Sequence, residues 1–171
     1  MAKQKTEEKI WYALYVKSRT EKKVAIELEA EGIEYYLPLE KKLKQWSDRK
    51  KWVEEPLFRS YIFVHIQSRD YYRTLYVQGA VKFISFEGKA VAVPPLQIEA
   101  VRVYLNEKEP LHADDESWET GKEVEVVEGN LIGLKGVLLE VKGKTRVKIE
   151  IEVVGSAIIL HIPKNKLRLL E

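Results

Sequence analysis

The spacing of hydrophobic and polar positions changes several times along the chain, and each change predicts an element. Residues 11–16, WYALYV, form a β-branched and aromatic run that predicts a strand. In SRTEKKVAIELEAEG the apolar Val24, Ala25 and Leu28 recur at helical spacing. Ser18 and Glu21 there have the spacing of a capping box, and Gly32 can end the helix. IEYYLPL predicts a second strand, and EKKLKQWSDRKKWVEE, with two short arms around Ser47 and Asp48, predicts a protruding hairpin. A central strand is expected over 58–66, followed by a short helix capped by Ser68 and running to Tyr76. KFISFEGKAVAV predicts a strand, a turn at Glu87-Gly88 and a short return. Pro95 then opens a helix to Leu105, at a position where its missing N–H costs nothing.

This order of elements predicts an α/β sandwich with a mainly antiparallel sheet. Beyond residue 119 the pattern turns to short strands punctuated by glycines: KEVEVVEG, KGVLLEVKG, TRVKIEIEVVG and AIILHI. Val147, Ile149, Ile151 and Val153 alternate with polar neighbours, which predicts a small β-barrel. The expected class is therefore α+β in two domains, 10–105 and 120–171, with a flexible tail over 1–9 and a linker over 106–119.

Charge sharpens this division. Residues 106–119 hold six acidic groups against Lys108, net −5, whereas the first 105 residues carry +5 and residues 120–171 carry +2. The first domain is thus expected to meet an anionic partner and the acidic segment to act as a solvated spacer. The chain has no cysteine, which excludes disulfides, thiolate metal sites and cysteine nucleophiles, and fits a reducing cytoplasm. No run approaches the roughly 18 apolar residues of a membrane span. His65, His112 and His161 lie far apart in different contexts, with no metal spacing and no phosphate loop, so neither catalysis nor a cofactor is expected.

The basic residues suggest a chemistry of their own. Lys41, Lys42, Lys44, Arg49, Lys50 and Lys51 crowd the hairpin, with Trp46 and Trp52 interleaved. Such a set releases counterions from nucleic acid and offers indoles to unpaired bases. It also suits a solvated hairpin that resists aggregation. A second set, Lys17, Arg19, Lys22 and Lys23, surrounds the start of the first helix, whose dipole favours phosphate.

The stretches WYALYVKSRTEKKVAIEL, EPLFRSYIFV, GAVKFISFEGKAVAVP and VVEGNLIGLKGVLLEV, at these separations, resemble the NusG family of transcription elongation factors over residues 10 to 170. The resemblance implies an N-terminal NGN domain and a C-terminal SH3-like KOW barrel. EPLF and GAVKFISFEGK look like the specialised RfaH-like antitermination paralogues that act on operons such as those for capsular polysaccharide. By resemblance, an apolar depression formed by Tyr15, Phe58 and Ile84, supported by Trp11, Tyr61 and Phe86, docks on the clamp coiled coil of RNA polymerase. Phe58, beside charged Arg59, is expected to be exposed for that purpose. The basic residues, Lys17 and Arg19 foremost, would face non-template DNA.

Gly129, Gly133 and Gly136 match the KOW turn, where positive backbone torsions are expected. The barrel would recruit a ribosomal protein or a termination factor, through a face that includes Leu131, Ile132 and Leu134. Two departures stand out. Arg59-Ser60 replaces the family's usual Pro-Gly or Pro-Asn, and only Arg73 and Thr74 could stand for a polar patch near the second helix. The reading is thus a cytoplasmic, monomeric antitermination factor without enzymatic activity. The rival readings are an RNA-binding or ribosome-associated KOW protein and an engineered scaffold that keeps only the fold.

Overall fold

The computed structural model describes residues 7–107, 121–141 and 144–170. The chain divides into two compact units, Met1–Val93 and Pro94–Glu171.

The first unit is built on β1 (Ile10–Val16), β2 (Glu34–Tyr36), β5 (Tyr61–Ile66) and β6 (Ala80–Phe83), which form one sheet in the order β2-β5-β1-β6. Every ladder in it is antiparallel. Strand alternation puts Leu14, Val16, Ile62, Val64 and Phe83 on one face, where they share a core with Val24, Ala25 and Leu28 of α1 (Glu21–Ala30). Leu14, Leu28 and Ile62 are fully buried, each worth about 1.5–3 kcal/mol of transfer free energy. A single 3₁₀ turn (Ser68–Asp70) leads into α2 (Tyr71–Leu75).

Both expected side-chain caps are replaced by longer-range contacts. Arg19 is left-handed (φ 63°), so the chain enters α1 through Thr20 and leaves Ser18 out of capping position. Thr20 Oγ1 donates to the Lys17 carbonyl at 2.6 Å, and the Glu21 carboxylate accepts the Ser60 N–H at 2.8 Å. Ser68, for its part, donates to Glu7 Oε1 at 2.5 Å, and the Gln67 amide donates to the Glu7 carbonyl. Gly32 does end the turn after α1, left-handed at φ 66° with its N–H bonded to the Glu29 carbonyl.

The predicted hairpin forms from β3 (Leu39–Gln45) and β4 (Lys50–Pro56), a two-stranded sheet of its own. Its turn is closed by the Trp46 N–H on the Arg49 carbonyl at 2.7 Å. A smaller ribbon, β7 (Ser85–Phe86) and β8 (Lys89–Ala90), turns at Glu87 (φ 49°) and Gly88 (φ 77°), two successive left-handed residues that suit a two-residue hairpin.

The second unit contains α3 (Pro95–Asn106) and an antiparallel sheet of β9 (Glu123–Val126), β10 (Lys135–Val141), β11 (Lys144–Ile151), β12 (Ser156–His161) and β13 (Leu167–Leu169). The strand order is β12-β11-β10-β9-β13, and among the described residues no ladder joins β12 to β13 to close a barrel. Val147, Ile149 and Ile151 are buried, as their alternation predicts, and so are Val124, Leu139 and Leu160 of the neighbouring strands. The helix expected at the end of the first domain packs on β12 and β11, so it groups with this second unit. The acidic segment expected over 106–119 lies outside the described residues from 108 onward.

Candidate functional site

The sheet of the first unit has a second face, opposite α1. Trp11, Ala13 and Tyr15 of β1 point there, and the register sets them against His65, Phe63 and Tyr61 of β5. Ile84, just after β6, joins them by donating its N–H to the Ala13 carbonyl at 3.0 Å. Tyr15 and Tyr61 meet edge to face with ring centroids 5.6 Å apart, and both rings are half-buried, as is Ile84. Ala13 and Phe63, fully buried, form the floor.

The structure corrects the expected role of Phe58. Its side chain is only 5% exposed and meets Phe63 edge to face at 5.9 Å, so it supports this face from within. Ser60, left-handed at φ 67°, reverses the chain two residues later and turns the preceding ring inward. Ser60 thus takes the place of the glycine or asparagine of the family's usual turn, and the Glu21 carboxylate fixes its N–H. Phe86, by contrast, stands 71% exposed on the β7–β8 ribbon. Trp11 is buried and stacks on His65, centroids 4.6 Å apart.

His65 belongs to a cluster that sequence spacing did not reveal. Glu34 Oε2 accepts from Lys9 Nζ at 2.9 Å and pairs with His65 Nδ1 at 3.0 Å. The Lys9 ammonium, assisted by His65, holds the Glu34 carboxyl below its ordinary range. The cleft beside it, about 530 Å³, is also lined by Arg69, Asp70 and Arg73. Of the two residues considered for a polar patch, Thr74 is fully buried with its hydroxyl on the Asp70 carbonyl, and Arg73 pairs with Asp70 at 3.4 Å.

The two basic sets lie on adjoining elements. Lys17, Arg19, Lys22 and Lys23 are exposed around the start of α1, and Lys22 Nζ donates to the Glu54 carbonyl of β4 at 2.7 Å. On the hairpin Lys44, Arg49, Lys50 and Lys51 are all exposed, with Lys44 directly opposite Lys51. Lys44 is paired with Glu55, whose carboxyl it holds below the ordinary range.

In the second unit the three glycines serve two purposes. Gly129 (φ 91°) and Gly133 (φ 89°) are left-handed in the β9–β10 loop, as expected. Gly136 lies within β10 without a positive φ, and a Cβ there would stand 2.5 Å from the Lys148 carbonyl oxygen and 2.6 Å from Ile149 Cδ1. Leu131 and Leu134, expected on an accessible face, are buried, and Ile132 alone of the three is exposed, at 58%.

The family model described as "Transcription termination factor nusG" matches residues 9–102, which is 94 of the 171 residues. The chain belongs to the NusG family. A solved structure described as "Domain interaction in Thermotoga maritima NusG" is similar in fold, with a TM-score of 0.53 and 22% identity over 95% of this chain and 98% of that one. The structure described as "Crystal Structure of MjSpt4:Spt5 complex conformation B" matches more loosely, at 17% identity over 94% of this chain and 97% of that one, TM-score 0.33. The NusG assignment covers the sheet, both of its faces and the basic hairpin. This NusG-family protein is therefore a transcription factor, and among the described residues no helix is long and apolar enough to cross a membrane.

Proposed function

We propose that this NusG-family protein binds the clamp coiled coil of RNA polymerase through the second face of its first sheet and suppresses pausing and termination, as an RfaH-like antiterminator. The observation that carries this reading is the half-exposed Tyr15–Tyr61 pair beside Ile84, resting on a floor of fully buried Ala13 and Phe63. Aromatic rings held rigidly over a packed floor are the residues that anchor interfaces, each worth about 2 kcal/mol or more when desolvated by a partner. Phe58 acts in this reading as a buried prop for the contact residues.

The mechanism is linkage. A factor that binds the closed clamp more tightly than the open one shifts the equilibrium toward the closed, elongating state, by no more than the difference in affinity. The exposed cations of α1 and the hairpin would lie toward non-template DNA. The glycine-punctuated sheet of the second unit is assigned to a KOW module that recruits a ribosomal protein or a termination factor, with Ile132 as its exposed apolar contact.

Capture of purified core polymerase tests the reading. Wild type is expected to retain polymerase, Tyr15→Ala and Tyr61→Ala to lose at least about tenfold in affinity while remaining folded, and Phe86→Ala to show whether the β7–β8 ribbon contributes. Unchanged binding by both tyrosine variants overturns this interface. Salt-sensitive RNA binding without polymerase binding favours the ribosome-associated alternative instead.

A further inference from the structure

The sheet of the second unit ends at β13, and its outer edge is open. The Val127 N–H donates to the Lys166 carbonyl at 2.9 Å and the Leu170 N–H to the Glu123 carbonyl at 3.0 Å, with Arg168 in register with Glu125 between them. Antiparallel pairing alternates, so Arg168 turns its N–H and C=O toward β9 while Leu167 and Leu169 turn theirs away from it. Among the described residues no strand pairs with β13 on that outer side, and no backbone bond reaches Leu167 or Leu169 there. Such an edge is a template for another extended segment.

The side chains at this edge are sorted by face. The register puts Leu167 beside Val126 and Leu169 beside Val124, on one face of the sheet. Val124 and Val126 are buried there, yet Leu169 is 55% exposed, because β13 is the last strand and has no neighbour to cover it. Leu138, Leu167 and Leu169 line an open groove of about 640 Å³, with Lys122 among its walls. The opposite face carries Arg168, which pairs with Glu125 of β9 at 2.5 Å. Residues 164–169 hold three cations and no acidic group, so the carboxylates Glu123 and Glu125 stand one strand behind the edge. Among the described residues Lys122 and Lys166 have no carboxylate partner.

We propose that β13 is a docking edge for an extended segment of a partner protein in which apolar residues alternate with acidic ones. The segment pairs with the outward N–H and C=O groups of Leu167 and Leu169. Its apolar side chains fill the groove over Leu138, Leu167 and Leu169, and its carboxylates meet Arg168 and Lys166. Geometry forces the alternation, because an added strand continues the pleat and presents successive side chains to opposite faces. The main-chain bonds supply affinity, while the groove and the cations select the sequence. This edge is separate from Ile132 in the β9–β10 loop, and it requires no contact with polymerase.

The test titrates the full chain with a short capped peptide alternating aspartate and valine, reading affinity by anisotropy of a labelled copy and amide hydrogen exchange by NMR. At saturation, exchange of the Leu167 and Leu169 amides is expected to slow by at least about tenfold, while the Arg168 amide, already bonded to β9, changes little. The same peptide with lysine in place of aspartate should bind at least about tenfold more weakly. Leu169→Pro removes an outward N–H without breaking the ladder to β9, and should also weaken binding by about tenfold, more than Leu169→Ala does. A peptide N-methylated along the edge that meets β13 should not bind wild type, which keeps the test decisive should the proline variant fail to fold. Absence of binding, or binding that leaves both leucine amides unprotected, overturns the docking edge. Equal binding of the lysine peptide overturns the acidic occupant. Protection without peptide that grows with protein concentration assigns the edge to a second copy, and protection independent of concentration assigns it to a segment of this chain; either overturns the proposal.

Discussion

Glu21, the first residue of α1, accepts the backbone N–H of Ser60 at 2.8 Å across 39 residues of sequence. This bond ties the start of the helix to the reversal that turns Phe58 inward and delivers Tyr61 to the second face of the sheet. Glu21→Ala would leave a partly buried N–H without its acceptor, at a cost of about 1–3 kcal/mol. Urea unfolding is expected to show that loss, and an unchanged unfolding free energy would mean that the Ser60 N–H finds another acceptor.

Ser60 itself holds a backbone conformation that non-glycine residues resist, with φ at 67°. The strain is about 1–2 kcal/mol, partly offset in a glycine variant by the greater entropy of the unfolded chain. Ser60→Gly is therefore expected to raise the unfolding free energy by about 0.5–1 kcal/mol, and a loss of stability would show that the Ser60 side chain contributes more than the strain it carries.

Glu107, at the end of α3, accepts the His161 N–H at 3.1 Å, and Arg146 and His161 are the charged or titratable groups that face it. Burial outweighs those favourable partners and raises its carboxyl above the ordinary range. A folded value above the unfolded one means that the folded state binds the proton more tightly. The stabilising contribution is therefore complete below the unfolded pKa, about 4.3, and is lost as pH rises through the raised folded value. Glu107→Gln keeps an oxygen for the His161 N–H and carries no charge, so its stability relative to wild type should rise over that window and level off above it. A difference independent of pH would contradict this account. Glu34 has the opposite sign: its lowered carboxyl contributes above the unfolded pKa and loses that contribution as pH falls through the folded value, though its exposure keeps the effect small.

The β9–β10 region should separate two reasons for glycine. At Gly129, left-handed with open space around a would-be Cβ, asparagine should be tolerated better than alanine, because asparagine more readily adopts that torsion. At Gly136 the obstacle is the Lys148 carbonyl and the Ile149 side chain, so alanine and asparagine should both cost about 1–3 kcal/mol or more. Denaturant unfolding of the four variants decides between torsion and crowding at each site.

The features visible in the sequence are those that local chemistry dictates. Two short arms around Ser47-Asp48, consecutive left-handed residues at Glu87-Gly88 and a proline in the first turn of α3 are all written within a few residues. The caps expected at Ser18 and Ser68 do not form, because Ser60 and Glu7, remote in sequence, take up the groups those motifs would use. Phe58 differs from its expected exposure for a related reason: a ring next to Arg59 looks exposed in one dimension, and only its packing on Phe63 buries it. The three residues of β13 carry too short a pattern to announce a strand, and the Lys9–Glu34–His65 cluster joins three separate segments.

The seven paired positions of the β3–β4 ribbon, six steps of about 3.4 Å, extend it roughly 20 Å. Its arms bond to one another, while its root is fastened to α1 through Lys22 and Glu54. It is a cantilever whose length can change only in even steps if its two sides are to keep their identities. Deleting one rung near the root would turn every outer side chain to the opposite face, carrying Lys44 and Lys51 to the side that Leu43 and Trp52 now occupy, whereas deleting two would shorten the reach and leave the handedness of presentation intact.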